Sequence, residues 1–331
     1  MNVGVDDGPH PAGFFAQIKL SQSVNRLMAS SQMLISRRRH GFSILEVLIV
    51  LGIVILLLSL ILPALVSIRE QSRQARCKNS LKQVALALHN YESLCRVLPP
   101  GWIGVTNGSA DPLGESGFGW GSLLLPCLDF QGVYSRTNFE KPIDASVNLG
   151  TTQTKISVYS CSSSVSEYVL QLDRNQTSFP LPVSDYVAVF GDQSLDGCDP
   201  TGEPNLINAD GECRGTGAFY HNSKVHFTDF LDGMSTTFVI GERALDWESP
   251  LAQGTWIGTL PEVPGSVKHL LGSTTGINDA TGPPDAFGSQ HPGGAMFASG
   301  EGSVRFVSEQ IDSQTFRALG TIRGRDPVID F

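Results

Sequence analysis

The stretch "RRRHGFSILEVLIVLGIVILLLSLILPAL", residues 37–65, decides how the chain is read. From 42 to 62 it holds a single charged residue, Glu46, in an otherwise apolar run. As a helix at 1.5 Å per residue the run reaches roughly 30 Å, the thickness of a hydrocarbon core. Arg37, Arg38 and Arg39 stand directly before it. The positive-inside rule then puts residue 41 in the cytoplasm and the remaining chain on the far side. A cleaved secretory signal would have a shorter apolar core and a small-residue cleavage site, which "LILPALVSIRE" does not offer. A plain single-pass anchor explains everything except Glu46, which costs a few kcal/mol if unpaired in lipid.

The basic block, Gly41, Phe42 and Glu46 together resemble the type IV prepilin signature. The resemblance implies a prepilin peptidase that cuts between Gly41 and Phe42, and N-methylation of the new terminus at Phe42. It also implies assembly with like subunits or other pilin-like proteins through the N-terminal helix. Glu46 would lie four residues after the new N-terminus. A carboxylate there is favoured by the helix macrodipole. It can also pair with an α-amino group, its own or a neighbour's, and so set register. A leader of 41 residues is long for this class; Met33 would shorten it to "MLISRRRHG", with Met28 as a competing start. Pro63 is expected to kink the helix, since helical periodicity resumes beyond it.

That resumed period places Cys77, Leu81, Val84, Leu88, Tyr91 and Cys95 on one apolar seam, with Arg73, Arg76, Lys78, Lys82, His89 and Glu92 on the wet face. "VLPPGW" (97–102) stops the helix. Cys77 and Cys95 stand about 27 Å apart along its axis and cannot bridge one another.

Beyond residue 96 the pattern changes to short apolar runs between turn residues, in a chain that holds 35 glycines and 19 prolines. "KISVYSC" (155–161), "DYVAVFG" (185–191), "KVHFTDF" (224–230), "TTFVIGE" (236–242) and "GTWIGTL" (254–260) read as strands. "GGAMFASGEGSVRFV" (293–307) reads as a hairpin and "IDSQTFRALGT" (311–321) as a last short helix. The formal net charge is −9. Residues 1–41 are at +3, which leaves −12 for the rest and argues against a nucleic-acid partner.

"CKNSLKQVALALHNYES" (77–93) followed by "LPPGW", and "VHFTDFLDGMSTTFVIGERA" (225–244) with Asp229, Asp232, Gly233, Glu242 and Arg243, resemble a prepilin-like family abundant in planctomycetes. Its body is the domain of unknown function 1559. That family closes on His, nine residues, then Asp-Gly. Here His291 keeps the spacing, but Glu301 precedes Gly302. The resemblance implies a pilin-like fold and export topology, and no reaction.

Candidate chemistry is sparse. His291 and Glu301 would meet across a hairpin, yet its glycines favour a structural turn whose polar residues satisfy backbone groups. His221 and His226 are five apart and would face opposite sides of a strand, a poor zinc pair. No nucleophile elbow, phosphate loop, H-E-x-x-H or CxxC is present. The acidic loop 191–213 offers Asp196, Asp199 and Asp210 as calcium ligands, against the alternative of a solvated loop. Cys198 and Cys213 flank it, as a disulfide or as two buried thiols.

The chain is thus expected to be α+β and pilin-like, a long transmembrane helix packed on a β-rich domain. Its parts are a leader (1–41), a membrane segment (42–65), a helix extension (66–95) and an extracytoplasmic body (96–331). The expected role is structural, not enzymatic. The protein would be a single-pass subunit of the cytoplasmic membrane, with its leader cytoplasmic, destined for a filament or secretion-type apparatus. A membrane-anchored module that binds a ligand or glycan is the alternative.

Overall fold

The computed structural model describes residues 41, 43–164, 169–243, 253–279 and 282–324, with the backbone alone at 60, 62–64 and 66. The leader 1–40 and Phe42, and with them the expected cleavage junction and methylation site, lie outside the described residues.

The chain divides into two compact units, 1–61 and 62–331. In the first, helix α1 (Ile44–Cys95) begins. The Ser43 hydroxyl accepts from the Leu45 N–H at 3.3 Å, and its carbonyl accepts from the Glu46 and Val47 N–H groups. Glu46 sits in the first turn, at the positive end of the helix dipole. Large apolar side chains are exposed all around this part of the helix, from 81% at Ile44 to 43% at Val54. Among the described residues no helix is long and apolar enough to cross a membrane. The membrane segment expected over 42–65 is, in the described residues, an exposed apolar stretch of α1. Position 63 lies inside α1 with no break in the helix.

In the second unit α1 buries Cys77, Leu81, Val84, Ala85, Ala87 and Leu88. Each large apolar side chain so buried contributes roughly 1.5–3 kcal/mol. Tyr91 is only partly buried and Cys95 is exposed, so the seam ends one turn before the expected limit. Arg96 then adopts a left-handed backbone, φ 66°, and two prolines follow it closely.

The body carries three sheets. One pairs β1 (Trp102–Thr106) with β2 (Ser109–Ala110) and β3 (Glu115–Gly119) in the order β2-β1-β3. Another joins β4 (Val169–Arg174), β5 (Thr177–Ser184) and β8 (Gly254–Thr255). The largest runs β11-β10-β7-β6-β9, from β6 (Tyr186–Gly191), β7 (Phe238–Glu242), β9 (Leu271–Ser273), β10 (Gly294–Ser299) and β11 (Val304–Ser308). All its pairings are antiparallel except β6 with β9.

Every residue of β6, β7 and β10 is buried. The period of two sorts the side chains of β6 and β10 between two cores. A register shift opposite Ala298 and Ser299 breaks that period in β7, so that Phe238 and Ile240 fall in different cores. Tyr186, Ala188, Phe190, Ile240, Met296 and Ala298 share a core with the α1 seam. Val187, Val189, Phe238, Ala295 and Phe297 point the other way, toward Phe316 and Leu319 at the terminal helix Ser313–Ala318.

Strands form where expected at 186–191 and 238–242, as do the hairpin and the terminal helix. Those expected over 155–161 and 224–230 are single 3-10 turns, Ser157–Tyr159 and Phe227–Asp229. In the second, the Asp229 carboxylate accepts the His226 N–H at 2.8 Å and closes the backbone locally. Of 254–260 only two residues pair as β8. The β4–β5 hairpin goes unforeseen because Pro180 and Pro182 argue against a strand. They are tolerated because β8 pairs only Val183 and Ser184, which leaves most of β5 an edge.

Candidate functional site

The most concentrated chemistry lies where α1 meets the five-stranded sheet. Cys77 comes from α1, Cys161 from the loop after Ser157–Tyr159, Glu242 from the end of β7 and His291 from the approach to β10. One ligand atom from each lies within 4.8 Å of all the others, and all four residues are buried. Cys77 and Cys161 form a disulfide with Cα atoms 4.8 Å apart. The spacing of the seam cysteine gave no sign of this partner, 84 residues away.

The surroundings fix each member. The Ser162 N–H donates to Cys77 Sγ at 3.1 Å, and the Tyr186 hydroxyl donates to the Cys77 carbonyl at 3.0 Å. The Cys161 N–H donates to Asp185 Oδ2 at 2.7 Å, and Ser164 donates to the other Asp185 oxygen at 2.7 Å. His291 Nδ1 meets Glu70 Oε1 at 2.6 Å, while Nε2 lies 3.4 Å from Cys161 Sγ and 3.7 Å from Glu242 Oε1. With Nδ1 donating to Glu70, the Nε2 lone pair faces the cluster.

Two carboxylates sit in opposite environments. Burial works against Glu70, but hydrogen bonds from His291 and Arg73 hold its carboxyl below the usual range. Glu242 is pushed up to about 8 by burial, although the Met296 N–H donates to its Oε2 at 3.1 Å. Glu242 Oε1 is buried with no hydrogen-bond partner among the described residues. Next to it, the fully buried Arg243 donates to the carbonyls of Ala286 (3.0 Å), Asp285 (2.5 Å) and Lys268. That guanidinium ties β7 to two loops through three main-chain acceptors.

His291 and Glu301 do not meet. Glu301 is exposed at the hairpin turn, where its N–H donates to Met234 O at 2.9 Å. Gly302 has φ 86°, a left-handed conformation that suits glycine. Its carbonyl accepts from Lys82 Nζ on α1. The two ends of β10 thus both grip α1, His291 through Glu70 and Gly302 through Lys82. Those helix residues are about 18 Å apart along the axis. His89, expected on the wet face, is half-buried beside this turn and stacks on Phe227 with centroids 4.6 Å apart. Of the three motif residues, His291 and Gly302 hold the helix, and the Glu301 N–H is bound to Met234.

The other candidates are held elsewhere. His221 is buried against Trp102, with Nε2 donating to Gly104 O at 2.9 Å and Nδ1 accepting the Cys213 N–H at 3.4 Å. Burial keeps its pKa low. His226 is exposed. Asp196 pairs with Lys268, Asp199 Oδ1 accepts from the Gly265 N–H at 3.1 Å, and Asp210 pairs with Arg214 at 3.0 Å. None of these three carboxylates belongs to the cluster of potential ligands above. Cys198 and Cys213 form a disulfide, Cα atoms 5.3 Å apart.

A family model described as a protein of unknown function, DUF1559, matches residues 66–314. No curated protein and no solved structure matches the chain. The match takes in most of the sequence, including Glu70, Cys77, Cys161, Glu242 and His291, and the protein belongs to the DUF1559 family.

Proposed function

We propose that the protein is a pilin- or pseudopilin-like structural subunit. A prepilin peptidase cuts it after Gly41, Phe42 becomes the N-methylated terminus, and α1 inserts in the membrane and assembles with equivalent helices. Glu46 pairs with the terminal amine of a neighbour and sets the register. The observation that supports this reading is α1 itself. It begins with apolar side chains that are exposed among the described residues, and it continues into a segment fastened by one disulfide and several polar contacts. An apolar surface of that kind calls for lipid or other apolar helices. A mere tether would not need so firm a hold on its far end.

A second reading, an anchored binding module, has one observation in its favour. A cavity of about 630 Å³ is lined by Arg214, Tyr220, Lys224, His226 and Arg323 among others. Arg214 and Arg323 are already paired with acidic side chains, which lessens the pull on an anionic ligand. Mass spectrometry of the N-terminus of the native membrane protein separates the readings. The subunit reading expects N-methyl-Phe42. A mature chain that begins at Met1, Met28 or Met33 removes it.

A further inference from the structure

We infer that Cys77, Cys161, His291 and Glu242 are a redox-gated site for a thiophilic divalent cation of the Zn²⁺ class. The disulfide closes the site, and reduction opens it. The site lies wholly within residues 62–331 and stands whether or not the filament reading does.

The donor set is Cys₂HisGlu, a composition that suits four-coordinate zinc. With Zn–S near 2.3 Å and Zn–N or Zn–O near 2.0–2.1 Å, a tetrahedral site has ligand-to-ligand edges of roughly 3.3–3.8 Å. Two edges already have that length: 3.4 Å from Cys161 Sγ to His291 Nε2, and 3.7 Å from His291 Nε2 to Glu242 Oε1. The bonded sulfurs must part, and every other pair of ligand atoms already lies within 4.8 Å. The outer contacts also suit a metal. The carboxylate of Glu70 on His291 Nδ1 is the usual orienting partner of a ligating imidazole and leaves Nε2 to bind. Glu242 Oε1 is buried without a hydrogen bond among the described residues and lies 3.7 Å from His291 Nε2, in the space a cation would fill.

The chemistry balances with a dithiol as reductant. Its thiolate attacks one sulfur, forms a mixed disulfide and releases the other as a thiolate. Its second thiol then closes the reductant's own disulfide and frees the first sulfur. Two electrons pass to the protein, and the dithiol supplies the two protons. Zn²⁺ then binds both sulfurs as thiolates and releases those protons. Access is from the helix side, where Glu70 keeps 18% exposure of its side chain and Cys161 keeps 5%.

The test uses the full chain in mild detergent with Cys95→Ser and Cys127→Ser, reduced by a phosphine that becomes the phosphine oxide. Co²⁺ is the probe. One equivalent should give thiolate-to-cobalt charge transfer and strong tetrahedral d–d bands, displaced by Zn²⁺ and absent before reduction. Cys161→Ser should abolish the charge-transfer signal and Cys198→Ser should not. His291→Ala should abolish the tetrahedral bands. Glu70→Ala, a change to a positioning residue, should weaken Co²⁺ binding roughly 10- to 100-fold and leave the band shape alone. The proposal falls if the reduced chain keeps its circular dichroism and shows no such spectrum. It falls equally if Cys161→Ser or His291→Ala leaves the spectrum intact. Should reduction unfold the chain, Zn²⁺ must restore its near-ultraviolet dichroism in the parent and fail to do so in His291→Ala; any other result overturns the site.

Discussion

Glu70 and His291, separated by 221 positions in sequence, share a 2.6 Å hydrogen bond that joins α1 to the strand beginning at Gly294. The imidazole is fully buried, so its Nδ1–H has no access to water if the partner is lost. Glu70→Ala should cost about 1–3 kcal/mol in urea unfolding, the desolvation penalty of an unsatisfied buried donor. Glu70→Gln keeps an acceptor oxygen and should recover most of that loss. Equal stability for the alanine and glutamine variants would show that the contact does not hold the helix.

Arg243 should be the most sensitive single position of the body. Its guanidinium is buried and serves three main-chain carbonyls. Arg243→Met fills a similar volume but strands those acceptors, and a loss of roughly 3 kcal/mol or more is expected in chemical denaturation. Arg243→Lys cannot reach three acceptors from one ammonium and should rescue only part of it. Unfolding midpoints for the three chains check this ordering.

Position 242–243 also shows what the sequence allowed and what it hid. The short apolar runs in 236–242 and 293–307, bounded by turn residues, mark two core strands, because such a run is a local property. The seam from Cys77 to Leu88 is legible for the same reason, and so is the hairpin turn at Gly302. The cluster is not. Cys77 appears as one more apolar seam residue, and its partner Cys161 sits in a segment that looks like a strand but folds as a turn. Glu242 and His291 were visible as residues of a shared pattern, yet nothing local says that both face Cys161. Long-range pairing is set by how the sheet stacks on α1, and no short window contains that. The exposed apolar start of α1 has the opposite character: composition alone marks it out.

His269 should contribute a loss of stability on acidification through the mid-acid range, opposed by Glu242, whose raised pKa of about 8 favours the folded chain as pH falls. Burial lowers the His269 pKa to about 4, even though Nδ1 donates to Gln253 O at 2.7 Å. In the unfolded chain the group titrates near 6.5. Between those values the unfolded state binds the extra proton, so this contribution is whole above about pH 6.5 and is lost as pH falls toward 4. The full effect is on the order of 3 kcal/mol. His269→Asn should lower the slope of unfolding free energy against pH between those values by up to about one proton's worth, roughly 1.4 kcal/mol per pH unit. A slope identical to that of the parent chain would show that His269 is not the source.

Glu46→Ala should leave membrane insertion intact or improve it, since the change removes a charged group from an apolar run. Cleavage after Gly41 should proceed. On the subunit reading the yield of filament or complex should drop, because neighbouring subunits would lose the charge pair proposed to set their register. Unchanged yield with normal processing would remove Glu46 as an assembly determinant.

The acidic loop should respond to its disulfide and not to calcium. Asp196 is committed to Lys268, whose hydrogen bond is the first cause of its lowered pKa. Asp199 caps the Gly265 N–H at 3.1 Å. Asp210 binds Arg214 at 3.0 Å and accepts the Glu212 N–H at 3.1 Å. These three carboxylates are thus spent on different partners, and a calcium site needs six to eight oxygens converging on one point. Added Ca²⁺ at millimolar concentration should leave the melting temperature where Mg²⁺ leaves it. Cutting the Cys198–Cys213 bond should matter more. It closes a loop with a sequence separation of 15, for which the chain-entropy model gives about 3 kcal/mol. The paired change Cys198→Ser with Cys213→Ser should lower the melting temperature by on the order of 6–12 °C for a body of this size. A rise with Ca²⁺ alone, abolished when Asp196, Asp199 and Asp210 are changed together to Asn, would mean that the loop rearranges to gather those oxygens.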